Sequence, residues 1–398
     1  MILIIVIFIA LLILPLIGEI YIFSTDISLA AGEVNFELLV HNSIFIITVL
    51  SLFFIISSKY DIKLPLIPID YPQRTLIRIL ICLFLSNIVI FALIGRLTIS
   101  GVNTGDIRSN LGGFGILTTW IVQFLTPALL TLNYLSYNST NKNYHIKSIY
   151  YINWILSIFI AIFTGYKSAI AMMVLPTLTI ILLGKSIPWK FFIYIPLLLF
   201  VITLSTSMIK GLNLNDAYLF ALHRSTVMTA FGTIGVWNVY PEGAPLNKSI
   251  MLTFGLFGNN IASALTGLHE NSIDFLDTNL SRLITYKVYP NASGALNNTV
   301  NVTVTNFGEA FYMLGKYYII YAIFAGIISG VIIKNFKRKI LIGNYNQAIC
   351  YLIYFLLVIL PWFNSGNIFK LISLPTIIWM ICTFTVIHII LHNKPFKR

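Results

Sequence analysis

Long apolar runs alternate with short polar connections along most of the chain. A membrane-spanning helix needs roughly 20 apolar residues to cross a hydrocarbon core of about 30 Å. The pattern therefore predicts an all-α polytopic membrane protein with about ten transmembrane helices, or eleven to twelve if two further stretches also cross. The predicted spans lie near 2–18, 36–57, 76–94, 114–136, 149–164, 169–184, 191–207, 317–333, 347–363 and 371–391.

The first apolar run is predicted to be a retained span. It lacks a basic region before the apolar stretch, and its first charged residue, Glu19, follows that stretch. A cleaved signal peptide would carry positive charge at its start and a small-residue cleavage site soon after the apolar part. The run therefore reads as a transmembrane helix.

The distribution of charge predicts how the chain is oriented. Only 10% of the residues are charged, and 25 Lys and Arg against 13 Asp and Glu leave a formal net charge of +12. With the N-terminus inside and strictly alternating spans, fifteen basic residues fall in the inner segments and four in the short outer ones. Short loops rich in Lys and Arg stay on the cytoplasmic side. The basic excess therefore indicates topology, with both termini cytoplasmic, and does not indicate nucleic-acid binding.

One large segment, 208–316, interrupts the alternation on the outer side. It separates an N-terminal membrane bundle (1–207, about seven spans) from C-terminal membrane helices (317–398, about three spans). Within it, 216–237 and 248–268 are apolar enough to lie along the membrane surface or dip into it, and glycines interrupt the second. A further pair of spans in these two stretches is the alternative.

The sequence contains no motif for a metal or a nucleotide. Cys82, Cys350 and Cys382 lie inside apolar runs without the spacing of a disulfide framework or a zinc site. No phosphate-binding loop, HExxH, GxSxG or EF-hand pattern is present. We therefore expect any reaction to proceed without metal, nucleotide or other cofactor.

The outer face instead carries a few isolated charged residues. Guanidinium and ammonium groups bind phosphates, and an ionisable residue at membrane depth is a candidate for function. These cations would suit an anionic lipid headgroup such as a pyrophosphate, while Glu309, four residues after Thr305, also fits an acid in the first turn of a helix. The candidate anion-binding residues are Arg96, Arg108, Lys167, Arg224 and Arg282, and the candidate acids or bases are Glu309, His223 and Glu270.

The pattern resembles the Wzy family of O-antigen and capsule repeat-unit polymerases. Beside the topology, the stretch 163–169 (FTGYKSA) is similar to a Gly-x-Arg/Lys-Ser turn of that family. The stretch 306–315 (NFGEAFYMLG) is similar to the Gly-Glu-x5-Gly motif after its large loop, and Arg224 to Gly235 matches its Arg-x10-Gly pattern. Arg108 has no glycine at the matching position and departs from that pattern.

The resemblance implies a GT-C-like glycosyltransferase in the bacterial cytoplasmic (inner) membrane. It would transfer the growing glycan from undecaprenyl pyrophosphate to the sugar of an incoming lipid-linked repeat unit. Arg224, Lys167 and Arg108, with Arg282 and Arg96, would stabilise the departing pyrophosphate, and Glu309, His223 or Glu270 would accept the hydroxyl proton. Implied partners are the lipid-linked oligosaccharide, the bilayer, and a chain-length regulator and flippase of the same pathway, but no nucleic acid.

Two other functions fit the same topology. An O-antigen ligase uses the same donor chemistry and differs in its acceptor. Its large loop usually has a His-rich pattern, and the large segment of this chain contains few histidines. A lipid-linked oligosaccharide flippase or other secondary transporter would show two related halves and charges near the midplane of its spans. The sequence shows neither feature clearly, which favours an enzyme.

Overall fold

The protein is α-helical throughout the part of the chain that its computed structural model describes. That part comprises residues 2–26, 29–60, 73–99, 114–137, 144–163, 167–183, 213–216, 218, 227–257, 259–288, 296 and 302–392. At several helix ends, including 94–99 and 167–171, only the backbone is described. The one β-type contact within it is an isolated bridge between Leu29 and Gly32. Seven apolar segments among these residues are long enough to cross a bilayer. The chain is therefore a multi-pass α-helical membrane protein.

Six helices or helical runs form the N-terminal half. They are α1 (Ile2–Thr25), α2 (Phe36–Ser57), α3 (Gln73–Ile99), α4 (114–137, with a π-helical turn at Ile121–Leu125), α5 (Tyr144–Phe163) and α6 (Lys167–Ile181).

Shorter helices then fill the middle of the chain. They are α7 (Val227–Val239), α8 (Leu246–Met251), α9 (Asn259–Thr266), α10 (Leu280–Val288) and α11 (Asn306–Leu314), with 3₁₀ turns at Leu252–Leu256, Asp274–Thr278 and Gly315–Tyr317. Three longer helices complete the chain: α12 (Tyr318–Leu341), α13 (Tyr345–Ser365, with a π-helical turn at Phe355–Ile359) and, after a 3₁₀ turn at Ile368–Ile372, α14 (Leu374–His392).

Helices α2 and α12 pack closely because α12 presents small residues to α2. Gly326 and Gly330 stand four residues apart, so they lie on one face of α12. A Cβ at Gly326 would lie 2.9 Å from the Val49 carbonyl oxygen, and one at Gly330 would lie 2.9 Å from Ile56 Cβ. Small residues let membrane helices approach until their backbones touch. This pair makes the most extensive contact between two helices in the described part of the chain.

The two π-helical turns each precede a proline. Proline has no N–H to bond the carbonyl four residues earlier, and its ring clashes with that carbonyl. Before Pro127 the Thr126 N–H donates to the Ile121 oxygen, and before Pro361 the Leu360 N–H donates to the Phe355 oxygen, each five residues back. These wider turns carry α4 and α13 past their prolines.

The predicted apolar runs within the described residues lie on helices, and several helices are longer than the runs. The run 2–18 was predicted to end before Glu19, but α1 continues through Glu19 to Thr25. The continuation is possible because Glu19 is buried, and both its carboxylate oxygens accept from Asn42 Nδ2, at 3.0 and 2.8 Å. The predicted span 191–207 lies outside the described residues.

Residues 219–226 of the stretch 216–237 lie outside the described part of the chain, and the described residues of the stretch 248–268 do not form one straight helix. Within the first, α7 begins at Val227 and packs against α1 with a largely buried surface. The second is divided into α8, a 3₁₀ turn ending at Leu256, and α9. Short helices joined by tight turns build the middle of the chain, which agrees with the expected interruption of the second stretch by glycines.

Candidate functional site

Helix α11 positions the candidate acid Glu309, and its start is fixed by two threonines. The Thr305 hydroxyl caps the helix by accepting from the Gly308 N–H at 3.4 Å. The Thr233 hydroxyl of α7 lies 2.7 Å from that of Thr305 and accepts from the Thr305 N–H at 3.2 Å. Capping by a threonine favours a helix that begins at the next residue. The sequence prediction of a helix whose first turn contains Glu309 is therefore confirmed.

A turn at Gly315 folds α11 back against α12. Gly315 has a φ of +53°, and a Cβ there would lie 2.2 Å from the Glu242 carbonyl oxygen. In one straight helix, residues 309 and 321 would be separated by about 18 Å along the axis. Instead the Tyr321 hydroxyl donates to the Glu309 carboxylate. The apolar segment Asn306–Leu341 is therefore not one straight helix, and α12 is its longer part.

The Glu309 carboxylate is enclosed by donors from three separate parts of the chain. The side chain is only 1% exposed. Oε2 accepts from the Tyr321 hydroxyl and from Trp362 Nε1 at 3.2 Å, and Oε1 accepts from the Ile368 N–H at 2.7 Å. Trp362 Nε1 also lies 2.9 Å from the Tyr321 hydroxyl oxygen. A buried carboxylate needs such hydrogen bonds to offset its desolvation, so this acid joins α11, α12 and α13.

The chain after α13 closes over this carboxylate through Gly366. Its φ is +62°, and a Cβ there would lie 2.9 Å from the Val304 carbonyl oxygen and 3.4 Å from Glu309 Cβ. Only glycine combines this conformation with so close an approach. Lys370, just beyond, is exposed, with its Nζ 3.5 Å from Ser365 Oγ. Residues 366–368 therefore separate the Glu309 carboxylate from the surface.

Other polar groups on α11 are buried without a hydrogen-bond partner among the described residues. They are both side-chain atoms of Asn306 and the hydroxyl of Tyr312, whose ring meets that of Tyr240 edge-on at 5.0 Å. Burial, with a contribution from Asp277, raises the pKa of Tyr240 to about 12, so its phenol stays protonated. Buried polar atoms without partners are uncommon in proteins. Helix α11 therefore carries unsatisfied polar atoms in the interior besides the Glu309 carboxylate.

Arg282 lies inside the middle segment. It is 1% exposed, and its Nη2 donates to the carbonyl oxygens of Leu296 at 2.7 Å and Glu270 at 3.1 Å. Burial lowers the pKa of the guanidinium, and the nearby Glu270 carboxylate acts in the opposite direction. The side chain joins α10 to the loop before it and to Leu296. The sequence placed Arg282 at the outer rim, whereas the structure places it in the interior.

Glu270 is the candidate base that the structure leaves nearest to solvent. Its side chain is half-buried, beside the exposed His269. It lies in the loop that Arg282 holds through the Glu270 carbonyl. The structure thus brings Glu270 and Arg282 together, and Glu309 belongs to the separate cluster with Tyr321 and Trp362.

The remaining predicted residues cannot be placed in this arrangement. His223, Arg224 and Arg108 lie outside the described residues. Arg96 lies near the end of α3 and Lys167 begins α6, but their side chains are not among those described.

No cluster suited to a metal ion occurs in the described part of the chain. No three His, Cys, Asp or Glu residues there come together as ligands. Cys82, Cys350 and Cys382 are free thiols in half-buried positions.

Sequence reasoning missed the partners of Glu309. Tyr321 and Trp362 lie within apolar runs, where aromatic residues are expected as lipid-facing or packing groups. The sequence feature that could have indicated the Trp362 contact is a tryptophan that directly follows a proline, Pro361, and precedes a glycine, Gly366, by four positions. Such a combination marks a helix end where an N–H can meet a buried acceptor.

Comparisons with known proteins add no assignment. No family model, curated protein or solved structure matches the chain.

Proposed function

We propose that the protein polymerises lipid-linked oligosaccharide repeat units at the outer face of the bacterial cytoplasmic membrane. The bond between the anomeric carbon of the growing glycan and its pyrophosphate oxygen would break. A hydroxyl of the incoming lipid-linked unit would form the new glycosidic bond and release its proton to a base. Undecaprenyl pyrophosphate leaves with the electron pair of the broken bond, so neither a nucleotide nor an oxidant is required.

The observation that carries this proposal is the way the middle segment packs on the long helices. Helix α7 packs on α1, and α11 packs on both α7 and α12. A layer of short helices on a membrane bundle suits a substrate with a lipid tail and a glycan head, because the tail can stay in the bilayer while the glycan meets polar groups. The inner excess of basic residues supports an outer location for this layer.

We assign Glu309 a positioning role. Both its oxygens are occupied by donors, and residues 366–368 cover it. A general base must come within hydrogen-bond reach of the proton it accepts. Glu270, half-buried and closer to solvent, takes the role of the base in the proposal, with His223 as the alternative that the sequence offers.

The anion-binding role is assigned to Arg224, Lys167 and Arg108, with Arg96 at the rim. Arg282 takes a structural role, since its guanidinium is buried and donates to two backbone carbonyls. Guanidinium groups that face the departing pyrophosphate stabilise the charge that develops in the transition state.

Deleting the gene from its host and examining the surface glycan on a gel tests the proposal. A polymerase mutant should replace the ladder of long chains by single repeat units still attached to their acceptor. Glycan no longer attached to the acceptor would indicate a ligase. Accumulation of the lipid-linked unit on the inner side would indicate a flippase, and an unchanged ladder would exclude all three functions.

Arg224→Ala tests the assignment of the anion-binding residues. It should abolish long chains and leave single-unit attachment, and Arg224→Lys should restore chains only in part, because an ammonium lacks the bidentate geometry. Lys287→Ala is the matched control, since Lys287 is exposed on α10 of the same segment. Normal chain lengths in Arg224→Ala, at equal protein level, would remove Arg224 from the mechanism.

A further inference from the structure

A groove between the C-terminal helices lies apart from the Glu309 cluster. Its floor is one face of α13, and its walls are α12 and α14. It has a volume of about 730 Å³. The residues that define its course are Gln347, Cys350 and Tyr354 on the floor, Lys339 on α12, and Ile377 and Ile381 on α14.

Helical periodicity places these side chains along one line. On α13, residues 347, 350 and 354 are three and four positions apart and therefore share a face. On α14, residues 377 and 381 are four apart in the same way. With a rise of 1.5 Å per residue, the floor from Gln347 to Tyr354 extends for about 10 Å. The groove thus runs along the helices, in the direction of a lipid chain in a bilayer.

The groove opens into a polar pocket at the end where α12 turns into α13. This pocket has a volume of about 500 Å³ and shares Gln347 and Phe384 with the groove. Its lining includes Asn344 and Asn346 from the turn and His388, whose ring stacks on that of Phe384 with centroids 5.9 Å apart. An apolar channel continuous with a polar pocket is complementary to an amphipathic molecule.

The charge around the groove and pocket favours an anion at the polar end. Lys339, in the last turn of α12, lines the groove together with Gln347. No aspartate or glutamate is among the described residues that line either cavity. The amino-terminal end of α13 also lies at this pocket and adds a positive partial charge.

We propose that the groove and its pocket bind one anionic phospholipid from the surrounding leaflet. An acyl chain lies on Cys350 and Tyr354 between α12 and α14, and the phosphate lies beside Lys339 and Gln347. A membrane lipid is the occupant because the groove is open towards the side where Ile377 and Ile381 are exposed, at 43% and 59%. This site is independent of the proposed glycan transfer and does not include Glu309, Glu270 or Arg282.

Native mass spectrometry of the full-length protein in a neutral detergent tests the site. Phosphatidylglycerol and phosphatidylcholine with identical acyl chains are added in turn, and the lipid-bound fraction is measured. Lys339→Gln should lower the preference for phosphatidylglycerol about fivefold, the contribution expected of one lysine near an anionic headgroup. Arg338→Gln is the matched control, because Arg338 is adjacent and exposed but lines neither cavity.

Filling the groove provides a second variant pair. Ile377→Trp should reduce binding of both lipids, whereas Ile378→Trp should not, because Ile378 is similarly exposed at 47% but does not line the groove. Equal binding of the two lipids by the unmodified protein would overturn the proposal. The proposal would also be overturned if Lys339→Gln and Arg338→Gln lowered the preference for phosphatidylglycerol equally. The same holds if Ile377→Trp and Ile378→Trp reduced lipid binding equally. Unfolding midpoints of all four variants are measured to show that each is folded.

Discussion

The indole Nε1 of Trp362 lies 3.2 Å from Oε2 of Glu309, across 53 positions of sequence. Trp362 is completely buried near the end of α13, and Glu309 is buried in the first turn of α11. The contact joins the short-helix segment to the C-terminal helices. Removing either partner would leave the other with only the Tyr321 hydroxyl at this atom, so a buried hydrogen bond is lost in each case.

Substitutions at Glu309 should separate a positioning role from a catalytic one. Glu309→Ala leaves the Ile368 N–H and the buried Tyr321 hydroxyl without their acceptor, and the Trp362 N–H keeps only the Tyr321 oxygen, so we expect a loss of about 3 kcal/mol or more in unfolding free energy. Glu309→Gln keeps one carbonyl acceptor, and its amide can donate to the Tyr321 hydroxyl, so most stability and activity should be retained. Thermal unfolding followed by tryptophan fluorescence, together with chain-length analysis, measures both effects.

Tyr321→Phe is the control for this series. The substitution removes the hydroxyl donor to the Glu309 carboxylate and leaves the Trp362 and Ile368 N–H donors in place. We therefore expect a loss of about 1 kcal/mol in unfolding free energy. If Glu309→Gln unfolded at the temperature of the unmodified protein but made no polymer, the positioning role would be wrong and Glu309 would be the base.

Two glycines that both have a positive φ should respond differently to alanine. Gly315 has φ +53° and Gly267 has φ +69°, so alanine is strained at both. A Cβ at Gly315 would also lie 2.2 Å from the Glu242 carbonyl oxygen, whereas one at Gly267 would meet nothing within 4 Å. We expect Gly267→Ala to cost about 1 kcal/mol and Gly315→Ala to lower the unfolding midpoint much further. Equal midpoints would mean that the α11–α12 turn tolerates the clash.

The membrane helices were predictable from sequence because the signal that marks them is local. An apolar stretch of sufficient length identifies a span without knowledge of its neighbours. The prediction was wrong where a partner elsewhere decided the outcome, as at Glu19. Helix α1 includes this acid because Asn42, 23 positions away, donates to both its oxygens. A hydropathy profile includes the charge of Glu19 but contains no information about its hydrogen-bond partner, Asn42.

The candidate site was predictable only in part, for the same reason. The Thr305 cap and the first-turn position of Glu309 follow from residues four apart. The donors to its carboxylate come from positions 321, 362 and 368, which the fold brings together through the turns at Gly315 and Gly366. Arg282 looked like a surface cation because its carbonyl partners at 270 and 296 carry no sequence signal.

The α2–α12 interface should depend on the absence of side chains at two positions. Gly326→Ile would place a branched side chain where a Cβ alone meets the Val49 carbonyl oxygen at 2.9 Å. The helices would have to separate, so we expect a marked fall in the unfolding midpoint of the purified protein. Ile327→Leu, on the exposed face of the same helix, is the control and should leave it unchanged. A stable Gly326→Ile variant would show that this contact does not limit stability.

The buried pair Glu19 and Asn42 should show strong energetic coupling. Asn42→Leu removes the side chain that donates to both oxygens of the Glu19 carboxylate, so that acid would stay buried without this donor. We expect this single change to be strongly destabilising, since breaking a buried polar pair by removing one partner costs about 3 kcal/mol or more. Replacing both by leucine removes the unpaired group and should recover much of that loss. A double-mutant cycle on unfolding free energies measures the coupling, and strictly additive losses would contradict a direct interaction between the two side chains.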